Sequence, residues 1–243
     1  MTDTATPAPA TGIPLRKRSG CMCSELGPEP HGHEAPPAPA PYAGFDEDTI
    51  ARVVAFHGHM CPGLAMGMQA SAIALREIGA HSRDEEVVAV VETDMCGVDG
   101  IQFLTGCTFG KGNLIHRDWG KNAYTFYRRS DGKAIRMRGR KGAFERNPEH
   151  QELFAKVRAG TATAEERERF GALHVESSRR VLALDPLDLF EVSLVEGEPP
   201  RKARIHASIA CEDCGEEAME TRVHLFGGRK LCTPCFEAAT TAP

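Results

Sequence analysis

Two CxxC pairs near the C-terminus restrict that part of the chain to a small module built around a metal ion. Cys211 and Cys214 form the first pair, and Cys232 and Cys235 form the second. The spacing fits a tetrahedral site of four thiolates, in which zinc replaces the apolar core that so short a segment cannot build. Because four thiolates complete the coordination shell, we expect a structural zinc ion that does not activate water. Disulfides are the alternative, and they suit an oxidising compartment.

The composition is that of a globular chain with reduced cysteines. The 243 residues are 41% hydrophobic and 26% charged, and the length allows one or two domains. The formal net charge of -5 argues against bulk nucleic-acid binding, which uses a basic surface. The sequence contains no apolar run long enough to cross a bilayer or to act as a signal peptide. We therefore expect a cytoplasmic protein whose nine cysteines are mostly thiols and metal ligands.

The N-terminal segment, residues 1–43, is rich in Pro, Ala and Thr and shows neither helical nor strand periodicity. This composition predicts a disordered tail. Within it, Cys21 with Cys23 and His31 with His33 are candidates for a small metal or redox patch. Since CxC and HxH specify little without surrounding packing, the favoured interpretation gives these residues no such role.

The segment HGHMCPG places three metal-binding side chains between two predicted helices. Asp46 is the expected N-cap of a first helix that ends at His57, and Pro62 is the expected first residue of a second helix. Cys61 then lies at the N-cap of the second helix, where backbone N–H groups and the helix dipole favour a thiolate of lowered pKa. His57, His59 and Cys61 are therefore candidate metal ligands, and structural roles in packing are the alternative.

A second group of such side chains follows a buried strand. The β-branched run VVAVVET predicts a strand over residues 87–93, and Asp94 and Cys96 leave its carboxyl end. Asp99 is the expected cap of a short helix, with Cys107 in the Gly-rich turn beyond it. Ligands gather at the carboxyl ends of strands in open α/β sheets. We therefore expect this segment to face the HGHMC loop and to complete a two-part His/Cys/Asp cluster.

Two neighbouring features carry weaker signals. GCTFGKGN lacks the GxxxxGK[ST] spacing, so it does not predict a nucleotide-binding loop. Lys111 within it is either a positive charge beside the Cys107 thiol or a solvent-exposed turn residue. The basic segment around Asp131 and Gly132 predicts a β-hairpin. Its surface is either a charged edge that discourages aggregation or a face that recognises anions.

The remaining sequence supplies helices and strands without a clear chemical signal. Residues 148–184 predict two helices, with Thr163 as the N-cap of the second. Residues 189–197 and 203–210 alternate as strands, which either close the sheet or connect it to the zinc module. His174 and His206 are single histidines in ordinary elements, and we expect structural or surface roles for both.

Taken together, these motifs resemble the FmdE family, which takes its name from formylmethanofuran dehydrogenase. The resemblance rests on FHGHMCPGLAMG, ETDMCGVDGIQFLTGCTFGKGNL, DWGKNAYTFYRR and the C-terminal finger, and it covers residues 45–238. It implies an α+β fold with a thioredoxin-like mixed sheet flanked by helices, followed by a small treble-clef zinc finger. The expected organisation is a tail over 1–43, an FmdE-like domain with a metal or thiol site over 44–200, and a four-cysteine zinc finger over 201–243.

The function implied by this resemblance is that of a metal-binding accessory protein serving a molybdenum or tungsten oxidoreductase through its His/Cys site. Its partner would be that oxidoreductase or its maturation machinery, and a homodimer is open, whereas nucleic acid and membrane are not expected. Its cofactors would be structural zinc in the finger and a second zinc or other transition metal in the N-terminal domain. The candidate catalytic residues are His57, Cys61 and Cys107. The candidate metal ligands are His57, His59, Cys61, Cys96, Cys107, Cys211, Cys214, Cys232 and Cys235.

The chemistry of the first site is left open by the sequence. A zinc ion with a free position would polarise a carbonyl or activate water, whereas a thiolate pair would carry sulfur or electrons. The alternative to both is a non-catalytic protein that senses metal or binds a partner through its finger. A zinc-finger transcription regulator ranks last, because it would need a basic recognition face.

Overall fold

The computed structural model describes residues 44–143 and 147–241. The predictions for the N-terminal tail, including Cys21, Cys23, His31 and His33, lie outside the described residues.

The first part of the described chain forms an α+β unit. Its helices are α1 (Glu47–His57), α2 (Pro62–Glu77), α3 (Gly97–Thr105), α4 (Pro148–Arg158), α5 (Ala164–Ala183) and α6 (Pro186–Leu189). Its strands are β1 (Val87–Val91), β2 (Leu114–His116), β3 (Ala123–Arg128), β4 (Ala134–Gly139) and β5 (Phe190–Leu194).

These strands form one five-stranded sheet in the order β2-β1-β3-β4-β5. β1 and β2 are parallel, and the other three pairings are antiparallel, so the predicted mixed sheet flanked by helices is confirmed. All residues of β1 are buried, as expected for a strand that reads as an uninterrupted β-branched run. The thioredoxin-like arrangement stays a prediction.

The sheet contains the predicted hairpin and shows where the strands that follow α6 belong. β3 and β4 pair on either side of Asp131 and Gly132, which confirms the predicted hairpin. β5 pairs with β4 and closes the sheet, with Ile135 opposite Leu194. The following strand, Ser208–Ala210, belongs instead to the C-terminal module.

Helices α1, α2 and α5 begin where the sequence predicts. The Asp46 carboxylate accepts a hydrogen bond from the Thr49 backbone N–H at 2.7 Å and caps α1. Thr163 and Glu166 form a capping box at the start of α5. The buried Gln69 side chain on α2 donates hydrogen bonds to three carbonyls at the end of α5, which joins the two helices.

Glycines allow α2 and α3 to approach closely, and this contact positions the site described below. A Cβ atom on Gly67 would lie 2.0 Å from the carbonyl oxygen of Gly97. A Cβ atom on Gly100 would lie 3.1 Å from the backbone nitrogen of Met68. The backbones therefore pack directly against each other, which fixes the start of α3 beside the start of α2.

The C-terminal module consists of two short hairpins and a helix. Its elements are β6 (Ser208–Ala210), β7 (Glu217–Met219), a 3-10 turn (Glu220–Arg222), β8 (Val223–Phe226), β9 (Arg229–Cys232) and α7 (Thr233–Thr241). β6 pairs with β7 and β8 with β9, both antiparallel. Its small core contains Cys211, Leu231 and Cys232, with Phe236 packed against them.

Within residues 44–143 and 147–241, no helix combines the length and the apolarity that crossing a bilayer requires.

Candidate metal centre

Three potential ligands meet where α1 ends and α2 begins. His57 is the last residue of α1, and Gly58 turns the chain with a φ of 98°, in the left-handed region that favours glycine. The ring centroids of His57 and His59 lie 4.6 Å apart. One ligand atom each from His57, His59 and Cys61 lies within 4.8 Å of the others. Two imidazoles and a thiol are donors that suit zinc and related transition metals.

Asp99 orients the imidazole of His57. The Nδ1 atom of His57 lies 2.6 Å from Oδ2 of Asp99, and the His57 side chain is 10% exposed. Because a carboxylate accepts hydrogen bonds, Nδ1–H donates, and the lone pair of a neutral ring is on Nε2. Nε2 lies 3.9 Å from Sγ of Cys61. This carboxylate–histidine arrangement is the one that metal-binding histidines use.

The role of Asp99 was missed from the sequence. The predicted short helix with an Asp99 cap is in fact a helix from Gly97, with Cys96 at its N-cap position and Asp99 within its first turn. A capping residue must precede the first helical turn, so Asp99 is free to reach His57 instead. A carboxylate distant in sequence from the histidine gives no local signal for this pairing.

Cys61 occupies the predicted N-cap of α2, but its thiol does not behave as predicted. Its Sγ accepts a hydrogen bond from the Leu64 backbone N–H at 3.3 Å. Burial nevertheless raises the pKa of the Cys61 thiol to about 11, against the lowering effect of that N–H. The expectation of a lowered pKa is therefore wrong for the metal-free thiol, because desolvation outweighs the helix terminus. A bound metal ion would displace this proton.

Cys96 lies beside Cys61. It packs against the apolar cluster that contains Cys61, and the two thiols interact electrostatically. A Cβ atom on Gly63 would lie 3.9 Å from each of the two sulfur atoms, so both face the same point of the α2 backbone. The start of α3 thus brings a second thiol to the edge of the histidine cluster, as the sequence predicted for this segment.

Cys107 and Asp94 are not brought into this cluster. Cys107 is fully buried, and its thiol donates to the Val87 carbonyl at 3.5 Å. It follows the C-terminal end of α3, whereas Cys96 precedes the N-terminal end, and the helix between them is about 13 Å long. Burial also raises the pKa of the Cys107 thiol to about 11. Asp94 is exposed in the loop after β1.

Lys111 has a structural contact. Its Nζ donates to the Ser82 carbonyl at 2.8 Å, so it joins the Gly-rich turn to the segment before β1. This side chain is half-buried and is neither a free turn residue nor part of the histidine cluster.

The four C-terminal cysteines form a site for structural zinc. Their sulfur atoms lie within 4.8 Å of one another. Cys211 and Cys232 are buried, and the Cys232 backbone N–H donates to Sγ of Cys211 at 3.3 Å. Hydrogen bonds from backbone N–H groups, that of Cys232 first, lower the pKa of the Cys211 thiol to about 6. Such donors favour the thiolates that a four-cysteine zinc site requires.

Two protein-family models match the chain. A family model described as "FmdE, Molybdenum formylmethanofuran dehydrogenase operon" matches residues 56–191. A second model, "Prokaryotic dksA/traR C4-type zinc finger", matches residues 206–240. The predicted four-cysteine zinc finger is confirmed.

The chain is also similar to individual proteins. A "Probable S-adenosyl-L-methionine-binding protein" from Archaeoglobus fulgidus is 38% identical over 182 residues, which cover 72% of this chain and 50% of the relative. The chain thus spans about half the length of this curated relative. The crystal structure of a "tungsten formylmethanofuran dehydrogenase subunit e (fmde)-like protein" from Syntrophus aciditrophicus matches with a TM-score of 0.52 and 24% identity. That match covers 81% of this chain and 94% of the other, and it shows a shared fold.

Proposed function

The chain belongs to the FmdE family, and on this premise we propose that it is an accessory protein that holds a transition-metal ion at His57, His59 and Cys61. The observation that carries the proposal is the 2.6 Å contact between His57 and Asp99, which turns Nε2 of the ring toward Cys61. Zinc is the metal that best fits two imidazoles and one thiolate. When bound there with a free position, zinc would supply Lewis acidity to a carbonyl or to water.

Cys96 decides between two versions of this function. With three protein ligands the site keeps an open position, which is the arrangement of catalytic zinc. With Cys96 as a fourth ligand the shell is closed, which is the arrangement of a structural or metal-sensing site. The neighbouring position of Cys96 and Cys61 favours this non-catalytic role as the second candidate. Under both versions the metal domain spans residues 44–200 and the finger 201–243.

The surface around the site suits a protein partner. Phe56 precedes His57 and is 55% exposed, and Met95 precedes Cys96 and is 66% exposed. Large apolar side chains beside a functional site are typical of surfaces that another protein covers. We propose that this partner is a molybdenum or tungsten oxidoreductase, or a component of its maturation machinery, because the names of the family and of the matched crystal structure point to such an enzyme.

Cobalt substitution tests the metal centre and its ligand count. Co²⁺ bound by thiolate gives a sulfur-to-metal charge-transfer band, and its visible d–d bands report the coordination number. We expect a cobalt spectrum from a second site in the wild-type protein that Cys61→Ser weakens or abolishes. Cys107→Ser removes a thiol outside the cluster and serves as the matched control. Equal spectra from Cys61→Ser and wild-type protein would overturn the proposal.

The same spectra separate the two versions. If Cys96 is a ligand, Cys96→Ser lowers the charge-transfer intensity by about as much as Cys61→Ser does. If Cys96 is not a ligand, Cys96→Ser leaves the intensity unchanged, and the open-site version stands.

The partner is tested by anaerobic purification of the tagged chain from its native host. We expect a co-purifying oxidoreductase, identified by mass spectrometry, with molybdenum or tungsten in the same fractions. Met95→Asp, which places a charge on the exposed rim, should remove both. Absence of the enzyme and of both metals, with the metal content of the chain intact, would contradict this part of the proposal.

The relative from Archaeoglobus fulgidus supplies a second ligand to test. Its name assigns it S-adenosyl-L-methionine binding, and this chain matches half of its length. Calorimetric titration with S-adenosyl-L-methionine decides whether the matched half carries that property. Binding that survives Cys61→Ser would place it away from the metal centre.

A further inference from the structure

The Cys61 and Cys96 thiols lie close to each other, and metal binding by His57, His59 and Cys61 does not by itself require this proximity. They come from different segments, yet the close packing of α2 and α3 places both sulfur atoms beside Gly63, each 3.9 Å from where a Cβ atom on that residue would lie. Both residues belong to the apolar cluster under the site. Because Gly67 and Gly97 allow the helix backbones to touch, neither helix start can move away without breaking that contact.

The two thiols differ in their access to solvent. Cys61 is 4% exposed, whereas Cys96 is half-buried at the start of α3. Met95, next to Cys96, is largely exposed, so the loop that carries Cys96 faces solvent. A small oxidant therefore meets Cys96 first and Cys61 second. An accessible thiol beside a second thiol is the arrangement of redox-sensing cysteine pairs.

We propose that Cys61 and Cys96 form a thiol–disulfide pair that a hydroperoxide oxidises, and that this oxidation releases the metal ion from His57, His59 and Cys61. The inference rests on the proposed metal centre and adds a regulatory reaction to it. A disulfide sulfur is not a thiolate, so Cys61 is lost as a ligand when the bond forms. The two histidines that remain are too few to hold zinc tightly.

The reaction proceeds in two balanced steps. The Cys96 sulfur attacks one peroxide oxygen, the O–O bond breaks, and Cys96 becomes a sulfenic acid while the peroxide leaves as an alcohol, or as water from hydrogen peroxide. The Cys61 sulfur, a thiolate while it binds the metal ion, then attacks the Cys96 sulfur, the S–O bond breaks, and hydroxide leaves and takes a proton from solvent to become water. In total, the two cysteine sulfurs lose two electrons, the metal ion is released, and the hydroperoxide is reduced. A dithiol reductant reverses the change by disulfide exchange.

The test begins with the reduced, zinc-loaded full-length chain treated with a small molar excess of hydrogen peroxide. Released zinc is followed with a chromophoric chelator, and the protein is then mapped by mass spectrometry. Chymotrypsin is the protease of choice because it cleaves after Phe103, between Cys96 and Cys107. The map therefore distinguishes a Cys61–Cys96 link from a link to Cys107, and it reports the finger cysteines separately.

We expect the wild-type protein to form the Cys61–Cys96 peptide and to lose one zinc ion per chain, with both changes reversed by a dithiol. Cys107→Ser should behave like the wild type, and Cys96→Ser should keep its first-domain zinc under the same treatment. Retention of both zinc ions, or release without the linked peptide, would overturn the inference. The direct map on the wild-type chain decides this even if a variant misfolds.

Failure of the metal centre itself is visible earlier in the same experiment. A reduced wild-type chain that binds a single zinc ion, held by the finger, overturns the proposed metal centre before any peroxide is added. A chain that binds two zinc ions but shows no linked peptide overturns the redox inference and leaves the metal centre standing.

Discussion

His57 and Asp99 lie 42 residues apart in sequence, yet Nδ1 of the first is 2.6 Å from Oδ2 of the second. The contact joins the end of α1 to the first turn of α3, and the whole of α2 lies between these two points in the sequence. Its consequence is a fixed tautomer, with Nε2 free and directed to the Cys61 sulfur at 3.9 Å.

Asp99→Asn should weaken metal binding at the first site without abolishing it. The amide oxygen still accepts from Nδ1–H, but the carboxylate charge that makes the ring a better ligand is lost. We expect a 10- to 100-fold loss of affinity, on the order found for such supporting carboxylates. Competition with a chromophoric chelator measures it. Asp94→Asn changes an exposed carboxylate of the neighbouring loop and should leave affinity unchanged; equal effects of the two variants would contradict the orienting role of Asp99.

Gly67→Ala should destabilise the domain strongly, because its new methyl group would lie 2.0 Å from the Gly97 carbonyl oxygen. The atom it meets is backbone, which cannot rotate away, so we expect a loss of about 3 kcal/mol or more in the free energy of unfolding. Gly171→Ala is the control, since it adds a methyl group on α5 with nothing within 4 Å. Because alanine has a higher helix propensity than glycine, Gly171→Ala should raise the free energy of unfolding by up to about 1 kcal/mol. Urea unfolding measures both, and similar stability of the two variants would refute the close packing of α2 on α3.

Glu92 and Arg136 give the sheet a pH-dependent contribution to stability. Arg136 donates two hydrogen bonds of 2.8 Å to the Glu92 carboxylate, whose side chain is 2% exposed. This pairing lowers the pKa of Glu92 from its usual 4.5. The stabilisation is therefore complete above the pKa that Glu92 has in the unfolded chain, and it is lost as the pH falls through the lower pKa that Glu92 has in the folded chain.

Glu92→Gln should accordingly cost about 1–3 kcal/mol at neutral pH, because it weakens a charge-assisted pair and leaves the guanidinium with a neutral partner. The difference from wild type should shrink as the pH falls below about 4.5. Urea unfolding at several pH values checks this. Glu191→Gln removes the carboxylate of the exposed Arg138 pair and should change stability by less than about 0.5 kcal/mol. A pH-independent difference for Glu92→Gln would show that the ion pair is not the cause.

Chelation of zinc should unfold the finger while the sheet persists. The finger core contains few buried apolar side chains, so the zinc–thiolate bonds supply most of its stability. Hydrogen exchange after treatment with a strong chelator should show lost protection over residues 208–241 and retained protection in β1, β3 and β4. Loss of protection throughout at the same chelator concentration would mean that the finger and the sheet unfold as one unit.

Local signals in the sequence predicted much of this fold. Capping residues and Pro at the first helical turn marked the helix starts, as Asp46, Cys61 and Thr163 show. β1 was recognisable from its β-branched run, and the finger from the spacing of its cysteines. Each of these signals acts over a few residues, so a single sequence contains them.

The remainder depends on tertiary packing. Cys107 was predicted as a catalytic residue with Cys96 as its neighbour, but α3 places them at its opposite ends, and the buried Cys107 thiol has a backbone partner instead. The Cys61 thiol was expected to have a lowered pKa from its helix position, yet the surrounding apolar cluster raises it. Asp99 can pair with His57 because glycines allow the backbone of α3 to pack directly against that of α2. Distance and desolvation are properties of the folded chain, and no short motif encodes them.

A metal centre that depends on Cys61 is tested most directly by the metal content per chain. Anaerobically purified wild-type protein and Cys61→Ser, both with the four finger cysteines intact, are compared by elemental analysis against protein concentration. We predict two metal ions per chain in the wild type and one in Cys61→Ser. One metal ion in both proteins would confine metal to the finger and contradict the proposed centre, and two in both would show that Cys61 is not required to hold the first ion.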